Sequence, residues 1–146
     1  MKIFISTPIA GFSSEQEYEN YRNKMLLYYE GISKKWGSDS VFAAFVEVND
    51  FNNYDTPTKS ARNDMDEIKC CDVFVLFYPR KTPTSALVEL GAALALNKKI
   101  IMMSPGIDTL PYMVQGLPSA YPDQVKWLRE IDVETIIAEI DSFIQI

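Results

Sequence analysis

The unbroken apolar run DVFVLFY, at residues 72–78, restricts the fold of this chain more than any other segment. A run that is rich in Val and Phe and has no polar residue inside it is typical of a central parallel strand that helices cover on both faces. Four further runs are predicted as strands: KIFIS at 2–6, SVFAAFVEV at 40–48, KIIMMS at 99–104 and QVKWL at 124–128. Helical segments separate these runs, so strand and helix alternate about five times. The alternation predicts an α/β fold in which a five-stranded parallel sheet lies between two layers of helices.

The helical segments begin and end at residues that favour helix termini. Ser13 and Ser14 are candidate N-caps for a long helix in which apolar residues recur every three or four positions, and Gly37 ends it. Further helices are predicted at about residues 59–71, 86–96 and 132–144. No repeat or linker divides the 146 residues, which predicts a single domain.

The charge and composition argue against several classes of function. A net charge of −6 disfavours binding to nucleic acids or anionic membranes, because both require basic surfaces. No apolar run reaches the ~20 residues that span a bilayer, and the start of the chain lacks the pattern of a signal peptide. Cys70 and Cys71 are adjacent and so do not form a disulfide framework. We therefore expect a cytoplasmic protein that acts on a small molecule.

The chain contains no histidine, which restricts the chemistry that it can perform. Histidine is the most frequent general base, a frequent zinc ligand and the usual partner of serine and cysteine nucleophiles. Neither a GxGxxG nor a GxxxxGK[ST] motif occurs, so the sequence does not support a dinucleotide or P-loop phosphate site. No metal-binding cluster is visible, and we expect no cofactor. If the chain is an enzyme, its carboxylates must serve as nucleophile and proton donor.

Ligands of open parallel sheets bind beyond the carboxyl ends of the strands, where three loops of this chain are expected to meet. These loops are residues 7–12, 49–58 and 79–89. Glu89 ends the third loop, inside the apolar stretch SALVELG. The free N–H groups and dipole of a helix N-terminus favour an ionised Glu89 there, as a nucleophile requires. In the alternative interpretation, Glu89 only complements the helix dipole and faces solvent. The sequence leaves both interpretations open.

Other charged residues near this edge are further candidates. Asp64 is placed close to the apolar side of its helix, which Ile68 and Cys71 mark, and so can face the core near the edge of the sheet. Four basic residues are placed to meet a phosphate group, although ordinary surface charge explains them equally well: Lys59, Arg62, Arg80 and Lys81.

Three segments resemble the nucleoside 2-deoxyribosyltransferase-like family, which includes the deoxynucleotide N-hydrolases. KIFISTPIAGF is similar to the opening strand and substrate loop of that family. RNDMDEIKCCDVFVLF is similar to a pattern in which an Asp lies eight residues before the Asp that opens a strand. TSALVELGAALALNKKII is similar to the signature that contains the nucleophilic Glu. The resemblance covers most of the first hundred residues and implies a flavodoxin-like, Rossmann-like three-layer sandwich.

The resemblance implies a role for each matching residue. Glu89 would be the nucleophile that attacks C1′ of the sugar, and Asp64 an acid that faces the sugar or the base. Substrate contacts would come from Thr7, Pro8, Ile9, Gly11, Phe12, Ser85, Arg80 and Lys81. Because N-glycosidic cleavage passes through an oxocarbenium-like state, a carboxylate near C1′ suits this chemistry without a histidine. The resemblance also implies a homo-oligomer whose pocket is completed across a subunit interface.

A departure from the family pattern and a second resemblance leave alternatives open. The family often has a further acid about six residues before the Glu, where this chain has Pro83, and the segment YPRKTPTS around it is basic, which indicates a phosphate-bearing substrate. The chain also resembles bacterial TIR domains, in which Ser85 and Glu89 would cleave the nicotinamide–ribose bond of NAD. A non-catalytic nucleotide-sensing module is the third alternative. We expect, first, an enzyme that cleaves the N-glycosidic bond of a nucleoside or nucleotide, as a hydrolase or a transferase.

Overall fold

Five parallel strands form one sheet in the structure, a computed structural model that describes residues 1–48 and 55–145. The strands are β1 (Ile3–Ser6), β2 (Val41–Ala43), β3 (Val73–Phe77), β4 (Lys99–Ser104) and β5 (Val125–Arg129). Their order across the sheet is β2-β1-β3-β4-β5, and each neighbouring pair is parallel. This order confirms the predicted α/β, flavodoxin-like fold.

Helices cover both faces of the sheet. Seven α-helices lie in the described ranges: α1 (Glu15–Trp36), α2 (Ala44–Glu47), α3 (Pro57–Cys70), α4 (Ala86–Ala95), α5 (Tyr112–Gln115), α6 (Leu117–Ala120) and α7 (Val133–Ile144). Helices α1 and α7 pack on one face, whereas α3, α4, α5 and α6 pack on the other. Side chains cap the three longest helices, because Ser14, Thr56 and Asp132 each accept a hydrogen bond from a backbone N–H of the first turn. None of the helices so described is both long enough and apolar enough to cross a membrane.

Alternation along the strands divides the core into two halves. Ile3 and Ile5 face α1 and α7, whereas Phe4, between them, faces the opposite layer. Strand β3 is buried along its entire length, as expected for the DVFVLFY run. Ser6 follows Phe4 by two positions, so its side chain points towards α3 and α4, the side on which the candidate site lies.

The structure differs from the sequence-based prediction after β2. The run SVFAAFVEV was predicted as one strand, but only Val41–Ala43 is extended, and Ala44–Glu47 forms α2. The reason is pairing, because the register with β1 ends at Ile5 and Ala43, and none of the described strands lies beside the residues that follow Ala43. Arg22 instead donates hydrogen bonds to the carbonyl oxygens of Phe45 and Val46. Part of the predicted loop at 49–58, residues 49–54, lies outside the described residues.

Candidate active site

A cavity of about 280 Å³ lies beyond the carboxyl ends of β1 and β2 and beside the first turn of α4. The chain leaves β1 towards one edge of the sheet and β3 towards the other, so the loops that follow these two strands diverge and leave space for a ligand. The volume is close to the lower end of the usual range for small-molecule pockets, about 300–1,000 Å³. The described lining residues are Phe4, Ile5, Ser6, Thr7, Ile9, Ala10, Phe42, Ala44, Phe45, Glu47, Val48, Asp55, Ser60, Asn63, Asp64, Ser85 and Glu89.

Glu89 reaches the cavity from the first turn of α4. Thr84 holds the start of this helix, since its Oγ1 accepts a hydrogen bond of 3.2 Å from the N–H of Ala86. The hydroxyl of Ser6, at the end of β1, donates a hydrogen bond to Oε2 of Glu89. The side chain of Asp64, on α3, is also hydrogen-bonded to the Glu89 carboxyl. Three elements that are distant in sequence therefore meet at one carboxyl group.

Burial is the main influence on the ionisation of this carboxyl pair. The pKa of Glu89 is raised to about 8, chiefly by desolvation; the hydrogen bond from Ser6 opposes the increase, and the neighbouring Asp64 adds to it. Desolvation also raises the pKa of Asp64, and the nearby charge of Asp55 adds to that increase. One interpretation of the sequence was that the helix N-terminus favours an ionised Glu89, but burial raises the pKa of this carboxyl. Adjacent carboxyls in such a setting titrate as a coupled pair, which can share one proton between its two members.

Helix α3 presents a polar side to the cavity. Asn63 and Asp64 follow Ser60 by three and four residues, which places them on the same face of the helix as Ser60. Oδ1 of Asp55, which lies just before α3, is 3.1 Å from Nζ of Lys59. Four of the described lining residues are therefore acidic: Glu47 on α2, Asp55, Asp64 and Glu89.

The cavity has no basic residue among its described lining. Neither Lys nor Arg contributes to the described wall, and residues 49–54, NDFNNY, contain neither in their sequence. A cavity lined by carboxylates in a low-dielectric setting attracts cations and repels anions. Lys59, which pairs with Asp55, brings one positive charge next to the described wall.

The loop at residues 7–12 closes the side of the cavity next to α1. The hydroxyl oxygens of Thr7 and Tyr21 are 2.5 Å apart. Phe12 packs against Tyr21 with their ring centroids 5.4 Å apart. Gly11 has a φ of +81°, and a Cβ there would lie 3.1 Å from Oγ1 of Thr82, so the turn requires glycine. The loop is thereby fixed by side chains from α1 and from the segment after β3.

Arg80 is part of this support. Its guanidinium pairs with Glu17, its Nη2 donates a 2.8 Å hydrogen bond to the carbonyl oxygen of Gly11, and its Cζ lies 5.0 Å from the ring centroid of Phe12. These contacts direct the charge of Arg80 to α1 and the loop, away from the cavity wall.

The predicted site residues divide into two sets of five. Those that line the cavity are Glu89, Asp64, Thr7, Ile9 and Ser85. Those that are not part of its described lining are Pro8, Gly11, Phe12, Arg80 and Lys81. Pro8 is buried and Lys81 is exposed, while Gly11, Phe12 and Arg80 form the contacts described above.

Sequence reasoning missed several lining residues, notably Ser6, Glu47 and Asp55. Alternation along β1 places Ser6 on the same face as Phe4, and that parity was a usable signal. Asp55 lies in the polar loop that was singled out, without being named. Glu47 was hidden by the prediction of one long second strand. In the part of the chain that the structure describes, no three Cys, Asp or Glu residues are arranged to hold a metal ion.

Three solved structures resemble the chain in fold. The Clostridium botulinum CMP N-glycosidase BcmB is 22% identical, with a TM-score of 0.61, and the match covers 98% of this chain and 99% of that one. BlsM is 22% identical, with a TM-score of 0.70 and coverage of 97% and 88%. A de novo designed Rossmann 2x3 protein is 12% identical, with a TM-score of 0.51 and coverage of 99% and 89%. No protein-family model and no curated protein sequence matches the chain. At these identities the likeness establishes the fold alone.

Proposed function

We propose that the chain cleaves the N-glycosidic bond of a nucleoside, with Glu89 as the nucleophile and Asp64 as the group that moves the proton. The observation that carries this proposal is the hydrogen-bonded pair of these carboxyls inside a ligand-sized cavity beyond the carboxyl ends of the strands. The fold of a protein named as a CMP N-glycosidase supports the reaction class.

The reaction begins with the transfer of the shared proton. Glu89 passes its proton to Asp64 through their hydrogen bond, and the hydroxyl of Ser6 stabilises the carboxylate that results. The Glu89 carboxylate then forms a bond to C1′ as the C1′–N bond breaks. The electron pair of that bond goes to the base nitrogen, and Asp64 returns the proton to the leaving base.

The second half of the reaction releases the sugar. A water molecule attacks C1′ of the glycosyl ester, gives its proton to the Asp64 carboxylate and displaces Glu89 as a carboxylate. A second base that replaces water would give transfer by the same steps. The anionic cavity also stabilises the positive charge that develops on the sugar ring, because unlike charges attract strongly in a site that excludes water.

The charge of the described cavity wall favours a free nucleoside, whereas the fold shared with a protein named as a CMP N-glycosidase favours a nucleotide; we propose the nucleoside on the charge of the wall. From sequence alone, the basic segment around Pro83 indicates a phosphate-bearing substrate. However, Arg80 pairs with Glu17, and the described wall carries Glu47 and Asp55 in addition to the catalytic pair. A phosphate carries up to two negative charges at neutral pH and would be repelled there.

The homo-oligomer implied by the family resemblance stays a prediction, which sedimentation velocity tests.

Product analysis by chromatography tests the reaction. Purified chain is incubated with nucleosides, their 5′-monophosphates and NAD, and the free base is quantified for the natural chain, Glu89→Gln and Glu19→Gln. Glu19 is exposed on α1 and serves as a matched control. We expect base release from nucleosides that Glu89→Gln loses and Glu19→Gln retains. Base release that persists unchanged in Glu89→Gln would contradict the role of Glu89, and nicotinamide release from NAD alone would select the NADase alternative.

A further inference from the structure

We propose that Ser6 is a positioning residue for Glu89: from the end of β1, its hydroxyl donates a hydrogen bond to Oε2 and so stabilises the carboxylate form of Glu89. The catalytic consequence of this inference rests on the proposed function. The effect on ionisation does not, because it exists in the substrate-free protein.

The contact is held rigidly. Ser6 is 2% exposed and is the last residue of β1, where it lies in register with Leu76 of β3. A buried strand end has little freedom to rotate or shift, so the hydroxyl stays directed at α4. A hydrogen bond from a neutral hydroxyl to a carboxylate is charge-assisted, and it is stronger than one to a protonated carboxyl. Ser6 therefore stabilises the ionised form of Glu89 selectively.

The other charged residues of the described cavity wall are acidic, and one of them opposes the effect of Ser6. The charged residues of the described cavity wall are Glu47 on α2, Asp55 before α3, and Asp64 on α3, in addition to Glu89 itself. All three neighbours are acidic, and Asp64 raises the pKa of Glu89. Ser6, on β1, donates a hydrogen bond to the carboxyl of Glu89. Its hydroxyl takes the place of the cation that often supports a buried carboxylate.

A titration of the substrate-free protein tests the inference directly. The ¹³C signal of the Glu89 carboxyl is followed between pH 4 and pH 10 by NMR in the natural chain, Ser6→Ala, Ser6→Thr and Ser104→Ala. We expect Ser6→Ala to raise the pKa of Glu89 by about one pH unit, as the loss of one hydrogen bond to a charged group implies. Ser6→Thr keeps the hydroxyl and should remain close to the natural chain.

Ser104→Ala is the matched control. Ser104 is also a buried serine at the end of a strand, but its hydroxyl donates to the carbonyl oxygen of Gly106 and accepts from Trp127. This variant should leave the titration of Glu89 unchanged even if it loses stability. If Ser6→Ala fails to fold, Ser6→Cys replaces the hydroxyl with a weaker donor of similar size and should shift the titration in the same direction. An unchanged pKa in whichever of these two variants folds overturns the inference.

Kinetics separate this inference from the proposed function. With a nucleoside substrate, activity should fall at high pH, where the carboxyl pair loses its proton. Ser6→Ala should lower the maximal rate about tenfold and move this high-pH limb of activity upward by about one pH unit. A purely structural defect lowers the rate without moving the limb, and that result would overturn the positioning role. If the natural chain releases no base from any nucleoside while the titration shifts as expected, the proposed function fails and the role of Ser6 in ionisation stands.

Discussion

Glu89 is expected to make the folded protein less stable as the pH rises from 5 to 8. Burial raises the pKa of this carboxyl from its ordinary value of 4.5 to about 8. Because the folded state holds the proton more tightly than the unfolded chain, folding is most favourable while Glu89 is protonated in both states, below pH ~4.5. The stability then falls as the pH rises through the folded pKa, and it levels off above pH ~8.

The structure sets the size of this effect. At about 1.36 kcal/mol per pKa unit, the difference between the two values corresponds to about 5 kcal/mol of unfolding free energy in total, of which roughly 3–4 kcal/mol is lost between pH 5 and pH 8. A domain unfolds with a total of about 5–15 kcal/mol, so the loss is measurable. The chain has no histidine, so ordinary side chains contribute little to proton binding in this interval. The pH dependence of stability between pH 5 and 8 therefore reports mainly on the carboxyl pair.

Urea unfolding followed by circular dichroism at pH 5, 6, 7 and 8, at constant ionic strength, measures this dependence. Glu89→Gln should be nearly independent of pH over this interval and more stable than the natural chain at pH 8. Glu19→Gln, which changes an exposed glutamate on α1, should keep the natural slope. If the natural chain and Glu89→Gln lose the same free energy between pH 5 and 8, the burial argument is wrong.

Three further predictions concern the pair, the substrate and the core. The proposed reaction needs one proton on the carboxyl pair, so the rate of the natural chain should fall both at low pH and above pH ~8. Asp64→Asn removes the acceptor of the Glu89 proton and a group that raises its pKa, so activity should fall by about 10²–10⁴-fold, and the rate should rise with pH. A rate that still falls above pH ~8 in this variant would contradict the role of Asp64. A nucleoside should have a kcat/KM at least about tenfold higher than that of its 5′-monophosphate. Added salt should reduce this ratio because it screens the repulsion between the phosphate and the acidic wall. A monophosphate that reacts faster than the nucleoside would contradict this and show that a cation reaches the site. Phe74→Ala, in the fully buried β3, should cost about 3–5 kcal/mol of unfolding free energy in urea. Tyr112→Ala, at a residue that is 94% exposed, should change it by less than about 0.5 kcal/mol. Similar losses in both variants would refute the core assignment.

The sequence carried enough information for the sheet because burial on both faces leaves a continuous apolar pattern. DVFVLFY has that pattern, and β3 is buried at each of its five residues. The length of β2 was not encoded in the same way. SVFAAFVEV has a high strand propensity throughout, but the chain pairs with β1 only as far as Ala43, and a strand without a partner leaves its N–H and C=O groups unpaired.

The candidate site shows the same division between local patterns and contacts across the fold. Glu89 was identifiable because a lone carboxylate interrupts an apolar helix in a chain without histidine. Ser6 is an unremarkable strand residue until its contact with Glu89, 83 positions away, is known. Arg80 stays a predicted phosphate ligand, but its pairing with Glu17, 63 positions away, is a contact that the sequence does not indicate. Residue type indicates which groups can react, whereas long-range packing decides which of them face the ligand.

Burial of Glu89 connects the stability of the protein to its proposed chemistry. The loss of water that makes the ionised carboxyl costly in the folded state also strengthens its attraction for the positive charge that develops at C1′. Ser6 offsets part of this cost without adding a cation, and so the site keeps the negative potential that an oxocarbenium-like state requires. A lysine or arginine in place of Ser6 would stabilise the Glu89 carboxylate more strongly, but it would neutralise the same potential. A neutral hydroxyl donor at this position therefore serves an N-glycosidase better than an ion pair would.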